Sequence, residues 1–231
     1  MNIAIVLCGG VGKRMGAGKN KVLLEVGGKP LIFHTLKNFE DSKDIDAAVL
    51  VVGEKDQAVF SDMVKKYKLK KIMGIIPGGK ERQDSGMNGL RFIDEAIENK
   101  KGLVVLFHNG ANPFVSQGEI HESTREAKRN GASVVAHRTK DTIRSVDKKG
   151  FSRGVIDRSA LWNMQTPQTI KFELAKEAFE RARRDKFLGT DDVSLVERLG
   201  KKVKIIEASD DNFKVTTPRD LELAKIILKK K

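Results

Sequence analysis

Residues 2–21 read NIAIVLCGGVGKRMGAGKNK, an apolar run that stops at a glycine-rich, basic segment. Asn2 to Leu7 has the length and β-branching of a strand covered on both faces, as in a parallel sheet. The glycines that follow let backbone come close to a ligand, and basic side chains follow them at once, which is the pattern of a phosphate-binding loop. Two common versions of that loop are excluded. A Walker loop would need Gly six residues before Lys19 and Ser or Thr after it, where the chain has Lys13 and Asn20. A dinucleotide fingerprint starting at Gly10 would need Gly or Ala at position 15, which is Met15.

Outward from this segment, short apolar runs recur at 47–52, 71–76, 103–107 and 132–136. Longer stretches with charges on one side, at about 30–40, 55–67, 85–98 and 117–130, separate them and predict helices, with Pro30 as a first helical residue and Gly131 as a stop. This βαβ alternation predicts an α/β fold with a doubly wound, mostly parallel sheet. After residue 137 the pattern breaks into KDTIRSVDKKGFSRGVIDRS, two polar strands around a Lys-Gly turn and too polar to pack as core. The expectation is one domain over 1–231 with a projecting β-arm at about 138–168. Helices return at about 171–185, 191–199 and 218–230, with a strand at 202–207.

Composition bounds the function. Lys and Arg exceed Asp and Glu by 44 − 31 = 13, which favours a polyanionic partner. With one Tyr, one Trp and no arginine-rich helix, no nucleic-acid partner is expected, and much of the Lys excess reads as a solvated face. Cys8 alone permits no internal disulfide, the N-terminus lacks the basic region of a signal peptide, and no run nears the roughly 20 apolar residues of a membrane span. A cytoplasmic protein without membrane partners is expected. The four His do not cluster at metal spacing: His34 is expected to pack on its helix, and His121 and His137 to lie on surfaces.

The loop continues into K-V-L-L-x-V-x-G-K-P-L-I-x-H-T-L. Further along come PGGKERQDS (77–85), VVLFHNGANPFV (104–115), KDTIR (140–144), DRSALWNMQTPQ (157–168), GTDDVSLVERLG (189–200) and NFKVTTPRDL (212–221). In that order these segments resemble the 2-C-methyl-D-erythritol 4-phosphate cytidylyltransferase family and its sister ribitol-5-phosphate cytidylyltransferases, over nearly the whole chain. The resemblance implies a Rossmann-like nucleotidyltransferase fold and a magnesium-dependent enzyme that joins the CMP part of CTP to a small polyol phosphate and releases pyrophosphate. The acceptor implied first is 2-C-methyl-D-erythritol 4-phosphate, with ribitol 5-phosphate or another sugar phosphate as the alternative and a non-catalytic nucleotide-binding relative as the third reading.

Position by position, the resemblance makes Cys8, Gly9 and Gly10 the cradle of the nucleotide, with Gly79 and Ser85 reading the pyrimidine. Arg14, Lys21 and Lys214 become the cations on the triphosphate. Such chemistry is served by positioning and fixed positive charge, since negative charge spreads over the phosphoryl oxygens in the transition state. Thr142, Arg158, Thr166 and Thr190 match positions that hold the polyol phosphate, an Arg fork among hydroxyls being suited to a phosphate monoester. Family analogy also implies a homodimer in which the arm carries Thr142 and Arg158 into the partner's site, and Asp211 as a magnesium ligand, although Asp211 suits a turn equally well. Asp191 and Asp192 resemble catalytic carboxylates, and equally the first turn of a helix capped by Thr190.

The chain departs from the family where H-D-A-A-R-P or H-D-x-x-R-P is usual. It has His108-Asn109-Gly110-Ala111-Asn112-Pro113, so a carboxylate and a guanidinium are both replaced by amides. Asn109 and Asn112 are therefore expected on the acceptor side with altered acceptor binding. The usual Pro before the loop Lys is Asn20.

Overall fold

In a computed structural model, which describes residues 1–10 and 20–230, seven strands form one sheet. The central strand β1 (Asn2–Leu7) lies between β4 (Ala47–Val52) and β6 (Val104–Asn109), parallel to both, and β5 (Ile72–Pro77) continues the sheet parallel to β4. On the other side β7 (Ala132–Arg138) is flanked by β11 (Lys204–Glu207) in parallel and β10 (Trp162–Lys171) in antiparallel. The order across the sheet is β11-β7-β10-β6-β1-β4-β5. Strand β10 is also antiparallel to β6, so it is the one reversed strand of the seven. The expected mostly parallel α/β sheet is what the chain builds.

Side chains alternate across β1, and both faces are apolar. Ala4 and Val6 join a core cluster with α1 (Leu31–Asp41), α2 (Gln57–Lys66), α4 (Gln117–Asn130) and α7 (Pro218–Lys229). Ile3 and Ile5 join a second cluster with α3 (Arg82–Ala96), α5 (Phe172–Arg184) and α6 (Asp192–Arg198). In the second cluster Phe107 and Phe179 stack with centroids 5.2 Å apart, a buried contact whose truncation to Ala costs about 3–5 kcal/mol. Gly131 ends α4 with φ +97°, as expected. Pro30 lies one residue earlier than expected, in β3 (Lys29–Pro30), which pairs with β2 (Glu25–Val26), and it caps α1 without a side-chain hydrogen bond.

The arm is shorter than 138–168. It contains the hairpin of β8 (Ile143–Val146) and β9 (Ser152–Ile156), whereas residues from Trp162 onward return to the main sheet as β10. Thr166, Gln168, Thr169 and Ile170 are all buried there. A strand whose buried residues are largely polar gives no apolar run, so periodicity assigned it to the arm. No helix among the described residues is long and apolar enough to cross a membrane.

Candidate active site

At the C-terminal ends of β1, β5 and β6 a cavity of about 450 Å³ opens, lined by Cys8, Gly9 and Gly10 from the first loop, Gly79 to Arg82 and Ser85 from the start of α3, and Asn109 and Ala111 after β6. Lys21, Lys214 and Thr216 complete the wall. Ligands of open α/β sheets bind at this edge, outside the carboxyl ends of the strands.

The cradle is made by missing side chains. A Cβ on Gly9 or Gly10 would meet no described atom within 4 Å, so glycine there keeps open space beside the cavity. At Gly79 the constraint is internal, since a Cβ would fall 2.2 Å from the Asp84 Cβ. The Gly79 N–H donates to Ser85 Oγ at 3.0 Å, and that hydroxyl donates to the Glu81 carbonyl at 3.1 Å, which folds the loop onto the first turn of α3. Cys8 is buried and burial raises its thiol pKa, so it is neutral.

Asn20, where the family usually has proline, is a clamp. Its Nδ2 donates to the Cys8 carbonyl at 2.7 Å and to Asp56 Oδ2 at 2.8 Å, while its Oδ1 accepts from the Val22 N–H at 3.3 Å. Asn20 is therefore tied to the end of β1, directly before Lys21, which opens a short 3₁₀ turn (Lys21–Leu23). Lys21 Nζ donates to the Val215 carbonyl at 2.8 Å, and the Val215 N–H donates to the Ala111 carbonyl at 2.8 Å. These bonds hold Lys21 and the segment carrying Lys214 at one wall. Arg14 lies outside the described residues.

Arg82 is the site residue that the sequence reading missed. Its Nη1 and Nη2 donate to Asp192 Oδ1 and Oδ2 at 2.6 Å each, and its Nε donates to Asn109 Oδ1 at 3.5 Å. The two-point pair is rigid, and Asp192 is 1% exposed. Burial alone would lower the Arg82 pKa, but Asp192 outweighs it and the net shift is upward, which keeps the guanidinium charged. Asp192 is thus committed to Arg82 rather than exposed as a catalytic carboxylate. The cap of α6 is Asp191, not Thr190: Asp191 Oδ1 accepts from the Ser194 N–H at 3.0 Å. Gln168 from β10 adds to it, its Oε1 accepting from the Asp192 and Val193 N–H groups at 2.8 and 3.0 Å. Arg82 directly follows the GGKE turn and Asp192 sits in the TDD segment, so both carried a signal, but their pairing across 110 residues did not.

The acceptor-side residues scatter. Asn109 lines the cavity, whereas Asn112 is fully buried and hydrogen-bonded within the protein, so it is placed behind the wall and not on it. Thr166 is buried, with its Oγ1 accepting from the Asn109 N–H at 3.3 Å. Thr190 is exposed beside a smaller hollow formed with Arg82 and Asp191. Thr142 and Arg158 stand on the arm, outside the cavity of their own chain, with Arg158 Nη1 donating to the Lys140 carbonyl.

Asp211 is exposed in a turn and does not line the cavity. Among the described residues no three His, Cys, Asp or Glu side chains meet to hold a metal ion. The cations on this wall suit the oxygens of a triphosphate, and among the described residues a magnesium ion would have to take its ligands chiefly from phosphate and water. His34 packs as expected, bonded to the Val26 carbonyl at 2.8 Å, and His121 is exposed beside Asp44. His137 is half-buried rather than on the surface, because its Nε2 donates to the Asn212 carbonyl at 2.9 Å. His108 is fully buried, its Nε2 donating to the Asn112 carbonyl at 3.0 Å, and burial lowers its pKa to about 4. It is therefore neutral at physiological pH.

The sequence model of the family described as IspD, 2-C-methyl-D-erythritol 4-phosphate cytidylyltransferase, matches residues 2–230. The chain belongs to this family. It is 46% identical over 225 residues to the 2-C-methyl-D-erythritol 4-phosphate cytidylyltransferase of Geobacillus thermodenitrificans, covering 97% of this chain and 96% of that one. With the Shouchella clausii protein of the same name it shares 44% over 228 residues, 99% of this chain and 96% of that one. Among solved structures, the 4-diphosphocytidyl-2C-methyl-D-erythritol synthase of Anaerococcus prevotii superposes with a TM-score of 0.85 at 29% identity, covering 99% of this chain and 96% of the other. The 2-C-methyl-D-erythritol 4-phosphate cytidylyltransferase of Thermus thermophilus gives 0.77 at 28%, covering 97% of this chain and 98% of the other. The cavity of this family member is the one lined by Cys8 to Gly10, Gly79, Ser85, Lys21 and Lys214.

Proposed function

We propose that this protein transfers CMP from CTP to 2-C-methyl-D-erythritol 4-phosphate and releases pyrophosphate, a step of isoprenoid biosynthesis, in the cytoplasm. The observation that carries the reading is one cavity joining a side-chain-free backbone cradle, at Gly9, Gly10 and Gly79, to Lys21, Lys214 and Arg82. A base and ribose fit the first part, and a triphosphate fits the second.

A phosphate oxygen of the acceptor attacks the α-phosphorus, an O–P bond forms, and the bond to the pyrophosphate oxygen breaks in line with it. The nucleophile is already an anion, so no general base is required, in keeping with a neutral, buried His108 and a neutral Cys8. Lys21 and Lys214 neutralise charge on the triphosphate, while Arg82, fixed by Asp192, holds the Asn109 edge of the acceptor space. Magnesium bound to the triphosphate would add charge neutralisation, held chiefly by phosphate oxygens and water.

The enzyme acts as a homodimer through its arm. Val146, Phe151 and Val155 are each more than 60% exposed on that hairpin, an apolar surface suited to a second copy. The arm would then bring Thr142 and Arg158 to the partner's acceptor. A pyrophosphate-release assay of the four nucleoside triphosphates against 2-C-methyl-D-erythritol 4-phosphate and ribitol 5-phosphate tests the activity. CTP with the methylerythritol phosphate is expected to give the highest kcat/KM, and a higher value with ribitol 5-phosphate would overturn the assignment.

A further inference from the structure

Behind the Asn109 edge of the cavity lies a chain of side-chain amides with a direction. Arg82 Nε donates to Asn109 Oδ1 at 3.5 Å, and Asn109 Nδ2 donates to Asn112 Oδ1 at 3.3 Å. Asn112 Nδ2 donates to Gln165 Oε1 and to Asn212 Oδ1, both at 3.4 Å, and Asn212 Nδ2 donates to the Thr166 carbonyl at 3.0 Å. Asn112 and Asn212 are fully buried. An isolated amide could sit either way round, but the two ends of this chain cannot. A guanidinium only donates and a backbone carbonyl only accepts. Reversing Asn109 would set its NH₂ against Arg82 and its oxygen against the Asn112 oxygen, and reversing Asn212 would set oxygen against the Thr166 carbonyl.

The orientation is reinforced from the backbone. His108 Nε2 donates to the Asn112 carbonyl at 3.0 Å, and His137 Nε2 donates to the Asn212 carbonyl at 2.9 Å, so both buried amides stand on residues pinned by their own main chain. Asn109 is pinned as well, its N–H donating to Thr166 Oγ1 at 3.3 Å. Asn109 alone among the four amides lines the cavity. Its oxygen is engaged by Arg82 and one of its two N–H bonds by Asn112, which leaves one N–H donor for the acceptor space.

We infer that Asn109 reads the acceptor as a neutral N–H donor to a hydroxyl or phosphate oxygen, and that Asn112 and Asn212 are positioning residues that fix which way its amide faces. The inference rests on the cytidylyltransferase reading and sharpens its acceptor site. A carboxylate at 109 would demand a donor from the substrate, whereas the amide demands an acceptor. A polyol hydroxyl supplies either, so 2-C-methyl-D-erythritol 4-phosphate remains a fitting substrate. A group that only donates, such as an ammonium, is rejected at this point of the site.

The test is Asn109→Asp, which keeps shape but replaces the NH₂ that donates to Asn112 and faces the acceptor space with an oxygen. The titratable groups around the relay, Arg82, Asp192, His108 and His137, are shared with the wild type, so each pH point is read as the ratio of variant to wild type. At neutral pH the acceptor KM is expected to rise about tenfold while the CTP KM stays within about twofold. As the pH falls and the introduced carboxyl takes up a proton, it regains an O–H donor, and the acceptor KM ratio is expected to return toward one. An acceptor KM unchanged at neutral pH, or a rise that persists at low pH, would overturn the relay. Should Asn109→Asp fail to fold, Asn109→Ala at the same partly exposed position removes the donor altogether and is expected to raise the acceptor KM about tenfold at every pH, with the CTP KM within about twofold. Wild-type enzyme assayed in parallel separates the two layers: no cytidylyl transfer by it overturns the reaction and the relay with it, whereas transfer by it with unaltered variants overturns the relay alone.

Discussion

The two halves of the cavity are built on different principles. The part of the cavity proposed for the nucleotide, Cys8 to Gly10 with Gly79 and Ser85, presents glycine main chain. The part proposed for the acceptor presents Asn109 in front of buried amides that share one direction. Each part of a backbone cradle is set by short-range chain geometry, so residues 8–10 and 79–85 are each a local segment, and the sheet brings the two together. An amide relay draws on residues 109, 112, 165, 166 and 212. The first kind of site can be read along the chain, and the second exists only after folding. Arg82 joins them, since it follows the glycine turn and touches both Asp192 and Asn109.

The largest expected effect lies at that junction. Asp192→Asn strips a buried ion pair of its anion and is expected to destabilise the fold by about 3–5 kcal/mol, measured by chemical denaturation. Enough enzyme should remain folded at low temperature to show the KM of both substrates rising together. If only one of them moves, Arg82 belongs to a single half and the junction is misplaced.

An acid-stability measurement probes the acceptor half through His108. Its folded-state pKa of about 4 lies below the ordinary 6.5, so the unfolded chain takes up the proton first. The associated stability is intact above about pH 6.5 and is lost as the pH falls towards 4, by on the order of 3 kcal/mol. His108→Gln, which can still donate to the Asn112 carbonyl, is expected to flatten that acid slope. An unchanged slope would mean that His108 titrates normally and that the acceptor half is wetter than described.

Within the nucleotide half, Lys21→Ala removes charge needed most in the transition state and should lower kcat by about 100-fold, close to 2.7 kcal/mol, with the melting temperature little changed. Near-normal turnover in the folded variant would detach this wall from the chemistry. The smallest effect is expected from Asn20→Ala. It loses the bonds to the Cys8 carbonyl and Asp56, and should raise the CTP KM roughly fivefold, about 1 kcal/mol, while sparing the acceptor KM. A change in the acceptor KM instead would break the division between the halves.

What could be read in the sequence follows the same division. The parallel strands showed as β-branched runs because burial on both faces excludes polar residues, and the glycine segments showed because they break those runs at the strand ends. Strand β10 escaped because Thr166, Gln168 and Thr169 are polar and buried, with Gln168 spent on the first turn of α6. Asp192 was visible as a carboxylate, yet its role depended on Arg82 arriving from 110 residues away.

By itself the sequence determined the parallel strands, the helices between them and the glycine-rich segments, since strand burial, helix periodicity and glycine spacing act over a few residues. Only the tertiary structure decided that Asp191 rather than Thr190 caps α6, that Asn112 lies behind the wall, and that the amides from Asn109 to Thr166 share one direction. The physical reason is that a buried polar group must find its partner wherever the fold places one, and the direction of a hydrogen bond is fixed by that partner and not by the residue's neighbours along the chain.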